Sequence, residues 1–195
     1  MNVQPVHLEG PSLVLEPLTP GHASELWPKA DPEIFRHTLD WPRDDGLDAF
    51  ADWLGDGLAR PDTLLFLIRI KPELQAVGMT GYLEIRPAHR GLEIGRTWIA
   101  KSHQGSRVNP ESKYLLLRHA FEELGAVRVQ LKTDVNNLHS QRAIEKLGAQ
   151  REGVLRRFQM RSNGFFRDTM IFSIIAEEWP EVKAGLEGRL GISQG

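Results

Sequence analysis

Residues 92–134 read LEIGRTWIAKSHQGSRVNPESKYLLLRHAFEELGAVRVQLKTD, and the order of patterns within them decides the fold. Leu92 to Ala100, with Trp98 and Ile99 side by side, suits a half-buried strand. A short loop containing Gly105 follows, with Asn109 as the expected N-cap of a helix and Pro110 at its first position. Tyr114, Leu117, Phe121 and Leu124 recur at helical spacing, and Gly125 supplies a left-handed stop. Val127, Val129, Leu131 and Thr133 then alternate with Arg128, Gln130, Lys132 and Asp134, as in a strand with one polar face. A helix start entered from a small-residue loop gathers unpaired N–H groups at the positive end of the macrodipole. Such a place suits a phosphate-bearing ligand. An ordinary capped helix joining two strands leaves the same pattern, so the ligand has to be argued from elsewhere in the chain.

Upstream, Ser12 to Glu16 alternates around Leu13 and Leu15 and reads as a first strand. Thr19-Pro20 opens a helix, and Asp31 to Leu39 suggests a second short one, broken at Leu39-Asp40-Trp41-Pro42. Gly46 to Ala59 places Leu47, Phe50, Trp53, Leu54 and Leu58 at helical spacing. Thr63 to Ile70, Gln75 to Arg86 and the Leu92 strand form a three-stranded meander, in which Gly78 and Gly81 mark a bulge or a close backbone contact. Downstream, Asn137 caps a helix from Leu138 to Leu147, stopped by Gly148. Val154 to Arg161 and Phe166 to Ala176 flank an Asn163-Gly164 hairpin turn. Glu177 to Leu190 is a terminal helix, and Gly191 to Gly195 a frayed tail. This order gives an α/β (α+β) fold, a mixed sheet with helices on both faces.

The chain has 195 residues and a formal net charge of −2. That length suits one domain with a substantial core, and that charge does not support a broad nucleic-acid-binding face. With no cysteine, disulfides, thiolate nucleophiles and cysteine metal sites are excluded together. The seven histidines show no H-x-x-H spacing, so no metal site is expected. No apolar run approaches membrane-spanning length, and the N-terminus lacks a signal pattern, so the expectation is a cytoplasmic protein without membrane partners.

Several short motifs in order carry a resemblance to a known family. They are Leu39-Asp40-Trp41-Pro42, Glu93-Ile94-Gly95, and Gln104-Gly105 leading to Asn109-Pro110-Glu111-Ser112-Lys113. They continue with Asn137-Leu138-His139-Ser140, Leu147-Gly148-Ala149, Glu152-Gly153, and Gly164 followed by Arg167-Asp168-Thr169. Over about residues 8–185 the chain resembles the GNAT superfamily of acetyl-CoA-dependent N-acetyltransferases, and within it the Rim-type, ribosomal-protein-acetyltransferase-like subgroup. The resemblance implies a strongly twisted, mostly antiparallel sheet flanked by helices. It also implies acetyl-CoA as co-substrate and transfer of acetyl to a primary amine by direct attack in a ternary complex. Both a protein N-terminus and a small-molecule amine stand as acceptors, and a homodimer is left open. The alternative reading is a non-catalytic acyl-CoA-binding sensor module.

By the same resemblance, backbone N–H groups of Gln104, Gly105, Ser106, Arg107, Val108 and Asn109 hold the CoA pyrophosphate. Trp98, Ile99 and Ala100 pair with the pantetheine as an added strand would, and Asn137 reaches the same arm. The loop departs from the superfamily pattern at Ser102 and at Arg107, whose side chain could crowd the pyrophosphate or pair with it. An amine must lose a proton to attack a thioester. Glu93 is the first candidate base and Glu84 the second, while Glu152 is read as structural. The glutamate that one Rim-type enzyme uses falls on Gln159, and the usual tyrosine acid falls on Ile144. Ser140 matches the serine that acts as proton donor in Rim-type enzymes, so the resemblance implies that role toward the leaving thiolate here. Phe35, Trp41, Phe158, Phe165 and Phe166 are candidates to line the acceptor pocket. Arg156, Arg157 and Arg161 could attract an acidic acceptor.

Overall fold

The computed structural model describes residues 1–40 and 46–192. Among them, eight strands form one sheet: β1 Leu8–Glu9, β2 Leu13–Pro17, β3 Leu64–Ile70, β4 Gln75–Arg86, β5 Gly91–Ile99, β6 Arg128–Asp134, β7 Gln150–Met160 and β8 Phe166–Ile175. Their spatial order is β1-β2-β3-β4-β5-β6-β8-β7. Every neighbouring pair is antiparallel except β5–β6. Among the described residues five α-helices accompany the sheet: α1 Ala23–Leu26, α2 Leu47–Leu58, α3 Val108–Arg118, α4 Leu138–Glu145 and α5 Trp179–Leu190.

The two faces carry separate cores because strand side chains alternate. On β4, Val77 and Tyr82 join the larger core with residues of α3, α4 and α5. Ala76 and Met79 join the smaller one, with Leu26 of α1 and Phe50 and Leu54 of α2. Helix α3 packs against β1, β2, β5 and α5 and is buried nearly all round, from Pro110 through Leu117. That accounts for its lack of a clean polar face.

Several expectations are corrected. The Thr19-Pro20 helix is fragmented into a 3-10 turn Pro20–His22, the single turn of α1, and a second 3-10 turn Trp27–Lys29. The Asp31 to Leu39 helix reduces to a 3-10 turn, Pro32–Phe35. Asp31 caps it by accepting from the Glu33 N–H at 2.8 Å, and Thr38 Oγ1 donates to the Phe35 carbonyl at 2.7 Å, drawing off an acceptor a longer helix would need. The Trp41-Pro42 break lies outside the described residues, as do positions 193–195 of the expected tail. Helix α3 starts at Val108, with Arg107 in the N-cap position, rather than after Asn109. Pro110 is tolerated in this first turn because the first N–H groups of a helix have no intrahelical partner. Past Arg118 the helix widens into a π turn, His119–Glu123, before Gly125 turns left-handed as expected. Strand β7 begins at Gln150, four residues before the expected Val154. The Asn163-Gly164 turn is present, with Gly164 at φ +84°.

Candidate active site

Strands β5 and β6 pair through only three positions, Gly91↔Arg128, Leu92↔Val129 and Glu93↔Gln130. Beyond Glu93 the parallel ladder stops, and a gap opens between the remainder of the two strands. Bulges accompany it. Glu84 of β4 and Arg96 of β5 have φ of 46° and 48°, and the β4–β5 register slips between Met79 and Gly81. Bulges re-aim side chains and end pairing, and here they lie beside the gap.

At one end of the gap sits the loop into α3. Gln104 Nε2 donates to the Ile99 carbonyl at 3.1 Å. Ser106 Oγ donates to the His103 carbonyl at 2.6 Å and lies 3.3 Å from the Val108 N–H. The Gln104 N–H is taken up by the Lys101 carbonyl. Among the described residues, the amides of Gly105, Ser106, Arg107 and Asn109 have no protein acceptor. With Gly105 at φ +73°, they form a short run of donors at a helix start, a concavity suited to an anion. The Arg107 guanidinium neither fills it nor faces it freely. Its Nε donates to Glu111 Oε2 at 2.9 Å, and its Nη2 to the Leu190 carbonyl at the end of α5 at 3.1 Å. Glu111 is fully buried and also accepts from the Ser12 N–H at 2.8 Å.

Along the strand edge, the Ala100 N–H donates to the Val77 carbonyl at 2.8 Å, so it is not available to a ligand. Strand alternation then turns the Ile99 N–H toward the gap. The Trp98 side chain lies in the smaller core, 5.4 Å between ring centroids from Phe35. Across the gap, Asn137 caps α4, its Oδ1 accepting from the Ser140 N–H at 3.0 Å. The Ser140 hydroxyl has no protein partner among the described residues.

Glu93, the last residue of β5 paired with β6, is 6 % exposed. Its carboxylate meets Lys132 Nζ at 2.7 Å and Gln130 Nε2 at 3.4 Å. Burial pushes the Glu93 carboxyl above the ordinary carboxylate range, against the pull of Lys132. Glu84 also ion-pairs with Lys132. Burial opposes its charge, but the Lys132 contacts prevail and hold the Glu84 carboxyl below its usual value. A cleft of about 540 Å³ opens here, lined by Glu84, Lys132, Leu155, Phe158 and Ile171 among others.

The remaining candidates scatter. Glu152 is tied to Arg128, 2.6 Å at one oxygen, and to Ser173 at 2.8 Å, in keeping with a structural part. Gln159 accepts from Arg167 Nη2 at 3.1 Å. Ile144 is core. Tyr82 donates to the Leu116 carbonyl at 2.6 Å, and Tyr114 to Glu187 at 2.8 Å, so both tyrosine hydroxyls are used inside the core. Phe35 is buried, Phe158, Phe165 and Phe166 are exposed, and Trp41 lies outside the described residues. Arg161 is held by Asp134 and by the Arg36 carbonyl. Among the described residues no cluster of His, Asp or Glu could hold a metal ion, and no helix is long and apolar enough to cross a membrane.

Sequence reading missed Lys132 and Gln130, because a polar strand face looks like a solvated one. Here Gln130 and Lys132 line the cleft beside Glu84. It also missed Lys113, which shares a helical face with Leu116, Leu117 and Ala120, all fully buried. That i, i+3, i+4, i+7 spacing was readable.

Comparison with known proteins bears on this geometry. The acetyltransferase (GNAT) domain family matches residues 12–150. A solved "putative acetyltransferase" from T. thermophilus superposes with TM-score 0.91 at 42 % identity, over 97 % of this chain and 100 % of that one. Mycobacterium smegmatis RimJ, solved in complex with CoA-disulfide, superposes with TM-score 0.81 at 22 % identity, over 96 % and 95 % of the two chains. The "putative ribosomal N-acetyltransferase YdaF" of Bacillus subtilis (strain 168) is 32 % identical over 102 residues, 52 % of this chain. That match spans 55 % of YdaF, about half its length.

Proposed function

The chain belongs to the acetyltransferase (GNAT) domain family, and on that footing we propose that it transfers acetyl from acetyl-CoA to a primary amine by direct attack in a ternary complex. The acceptor is a protein N-terminus or a small-molecule amine. One observation carries the reading: the β5–β6 ladder stops at Glu93↔Gln130, leaving a gap with unpartnered amides at one end and a buried carboxylate beside it. In this reading the amides of Gly105, Ser106, Arg107 and Asn109 receive the pyrophosphate, and the Ile99 N–H and the Asn137 side chain receive the pantetheine. Glu93 takes the proton of the attacking nitrogen, directly or through one water. The nitrogen adds to the thioester carbonyl, the C–S bond breaks, and Ser140 Oγ donates a proton to the departing thiolate and recovers one from solvent.

Calorimetry with acetyl-CoA, followed by thiol release over a panel of amines and peptides, tests the reading. No heat with acetyl-CoA overturns it. Heat without thiol release for any acceptor replaces it with the acyl-CoA-binding module. Ser140→Ala is expected to slow thiol release by roughly tenfold or less, because a thiol of pKa ~8.5 leaves with little help. Arg107→Ala is expected to leave acetyl-CoA affinity within about threefold, since its guanidinium serves Glu111 and Leu190. Its cost falls on stability instead, roughly 1–2 kcal/mol, for a buried carboxylate that loses a half-exposed partner. Thermal denaturation beside calorimetry separates the two effects.

A further inference from the structure

Among the described residues, Lys113 is a lysine without a carboxylate partner inside a well-packed core. The residue is 6 % exposed. Its ammonium donates to Thr97 Oγ1 of β5 and, at 3.3 Å, to Thr80 Oγ1 of β4. The two hydroxyls also bond each other at 2.8 Å, so neither needs the lysine to be satisfied. An unpaired buried ammonium costs stability, and an apolar side chain of that length would fill the same space. Stability therefore does not account for the residue.

Its position does. Thr97 follows Arg96, at the bulge where Gly95 pairs with Gly81 and Trp98 with Met79, and its hydroxyl lies 3.3 Å from the Gly95 carbonyl. The ammonium thus stands one side chain behind the segment of β5 that borders the gap. We propose that Lys113 is a positioning residue for acyl transfer, its ammonium propping the β5 bulge through Thr97 and stabilising through space the oxyanion that forms at the gap. This inference rests on the acetyl-transfer reading above. When the amine nitrogen bonds to the thioester carbon, the carbonyl π pair moves onto oxygen. The charge persists until the C–S bond breaks and CoA leaves as thiolate, the nitrogen's proton going to Glu93. A fixed positive charge behind the strand lowers the barrier to that state without binding the ground state more tightly.

The charge is conditional. Burial pushes the Lys113 amine down to about 7, against the pull of the Glu93 carboxylate. Around it, β4 contributes Thr80 and Tyr82, whose hydroxyl is given to Leu116. The π turn contributes His119, which contacts that tyrosine. Glu111 on α3 is engaged by Ser12 and Arg107, and Lys132 on β6 is paired with Glu84 and Glu93. The sign follows for stability. Between about 7 and 10.5 the folded amine binds fewer protons than the unfolded one, so its destabilisation is full below about 7 and fades toward 10.5.

Lys113→Met in the full chain is expected to raise Tm while lowering kcat by roughly 10- to 100-fold, with the acetyl-CoA Kd from calorimetry within about twofold. The Tm gain should be largest below about pH 7. The ratio of wild-type to variant kcat/KM should fall as pH rises through about 7, because only the protonated lysine contributes. A residue with a merely structural part would lower Tm and kcat together and leave the ratio flat with pH. Should the methionine variant fail to fold, Thr97→Val, which keeps the lysine and removes its link to the bulge, is read for the same loss of kcat. If wild type releases no thiol, the reading of the activity falls. If wild type turns over and Lys113→Met matches it, or the ratio ignores pH, the inference alone falls.

Discussion

Glu93→Gln is expected to lower kcat/KM for amine acetylation by roughly 100- to 10,000-fold, the range for loss of a general base, while leaving acetyl-CoA binding intact. The substitution preserves shape, and its amide oxygen can still accept from Lys132. Glu84 also keeps Lys132 paired, so no buried cation is orphaned. The wild-type pH profile should carry an acid limb whose midpoint lies above 4.5, since burial raises the Glu93 carboxyl and only its ionised form accepts a proton. That limb should be missing in the variant. Stability moves differently. A carboxyl whose folded pKa is raised contributes stability that is present below 4.5 and lost as pH rises through the folded value. At neutral pH the glutamine variant should therefore melt no lower than wild type. Steady-state thiol release from pH 5 to 9 and a thermal scan check both halves. A variant that turns over at the wild-type rate removes Glu93 from the chemistry and leaves the fold and the cofactor cradle standing.

Gly78→Ala is expected to destabilise the fold by roughly 2–4 kcal/mol, from overpacking added to backbone strain. For a domain of this size that is about 5–15 °C in Tm. Gly78 has φ +159°, and a Cβ there would lie 2.2 Å from the Trp98 carbonyl oxygen and 2.9 Å from Ile99 Cα. Both obstacles are backbone, so no rotamer change relieves the clash and β5 itself must move. The displaced residues are the ones that border the gap, so the variant that remains folded should also bind acetyl-CoA more weakly by calorimetry. Gly185→Ala on α5 is the control. Its added Cβ meets nothing within 4 Å, and relief of glycine's entropy should leave Tm level or raise it. If Gly78→Ala melts like Gly185→Ala, the close approach of β4 to β5 is not what seats the Trp98–Ile99 segment.

The residues alone determined most of the element order, since periods of 2 and 3.6 and the turn residues are local signals. The meander, the loop into a helix, the Asn163-Gly164 hairpin and the Asn137 cap were all legible from neighbours within a few positions. So were Glu93 and Ser140 as candidates, through the family resemblance. The short, proline-interrupted segment from Thr19 to Leu39 was misread, because there local side-chain bonds such as Thr38 to Phe35 compete with helix. The start of α3 was placed two residues late for a similar reason: Pro110 fits more than one position in a first turn.

What tertiary structure alone decided is which polar groups meet across the strands. Lys132 reaches Glu93 and Glu84 from a different strand. Arg107 reaches the end of α5, and Lys113 of α3 stands behind Thr97 of β5. Alternation along one strand tells which side a residue faces, but not whether that side holds water, a neighbour or a gap.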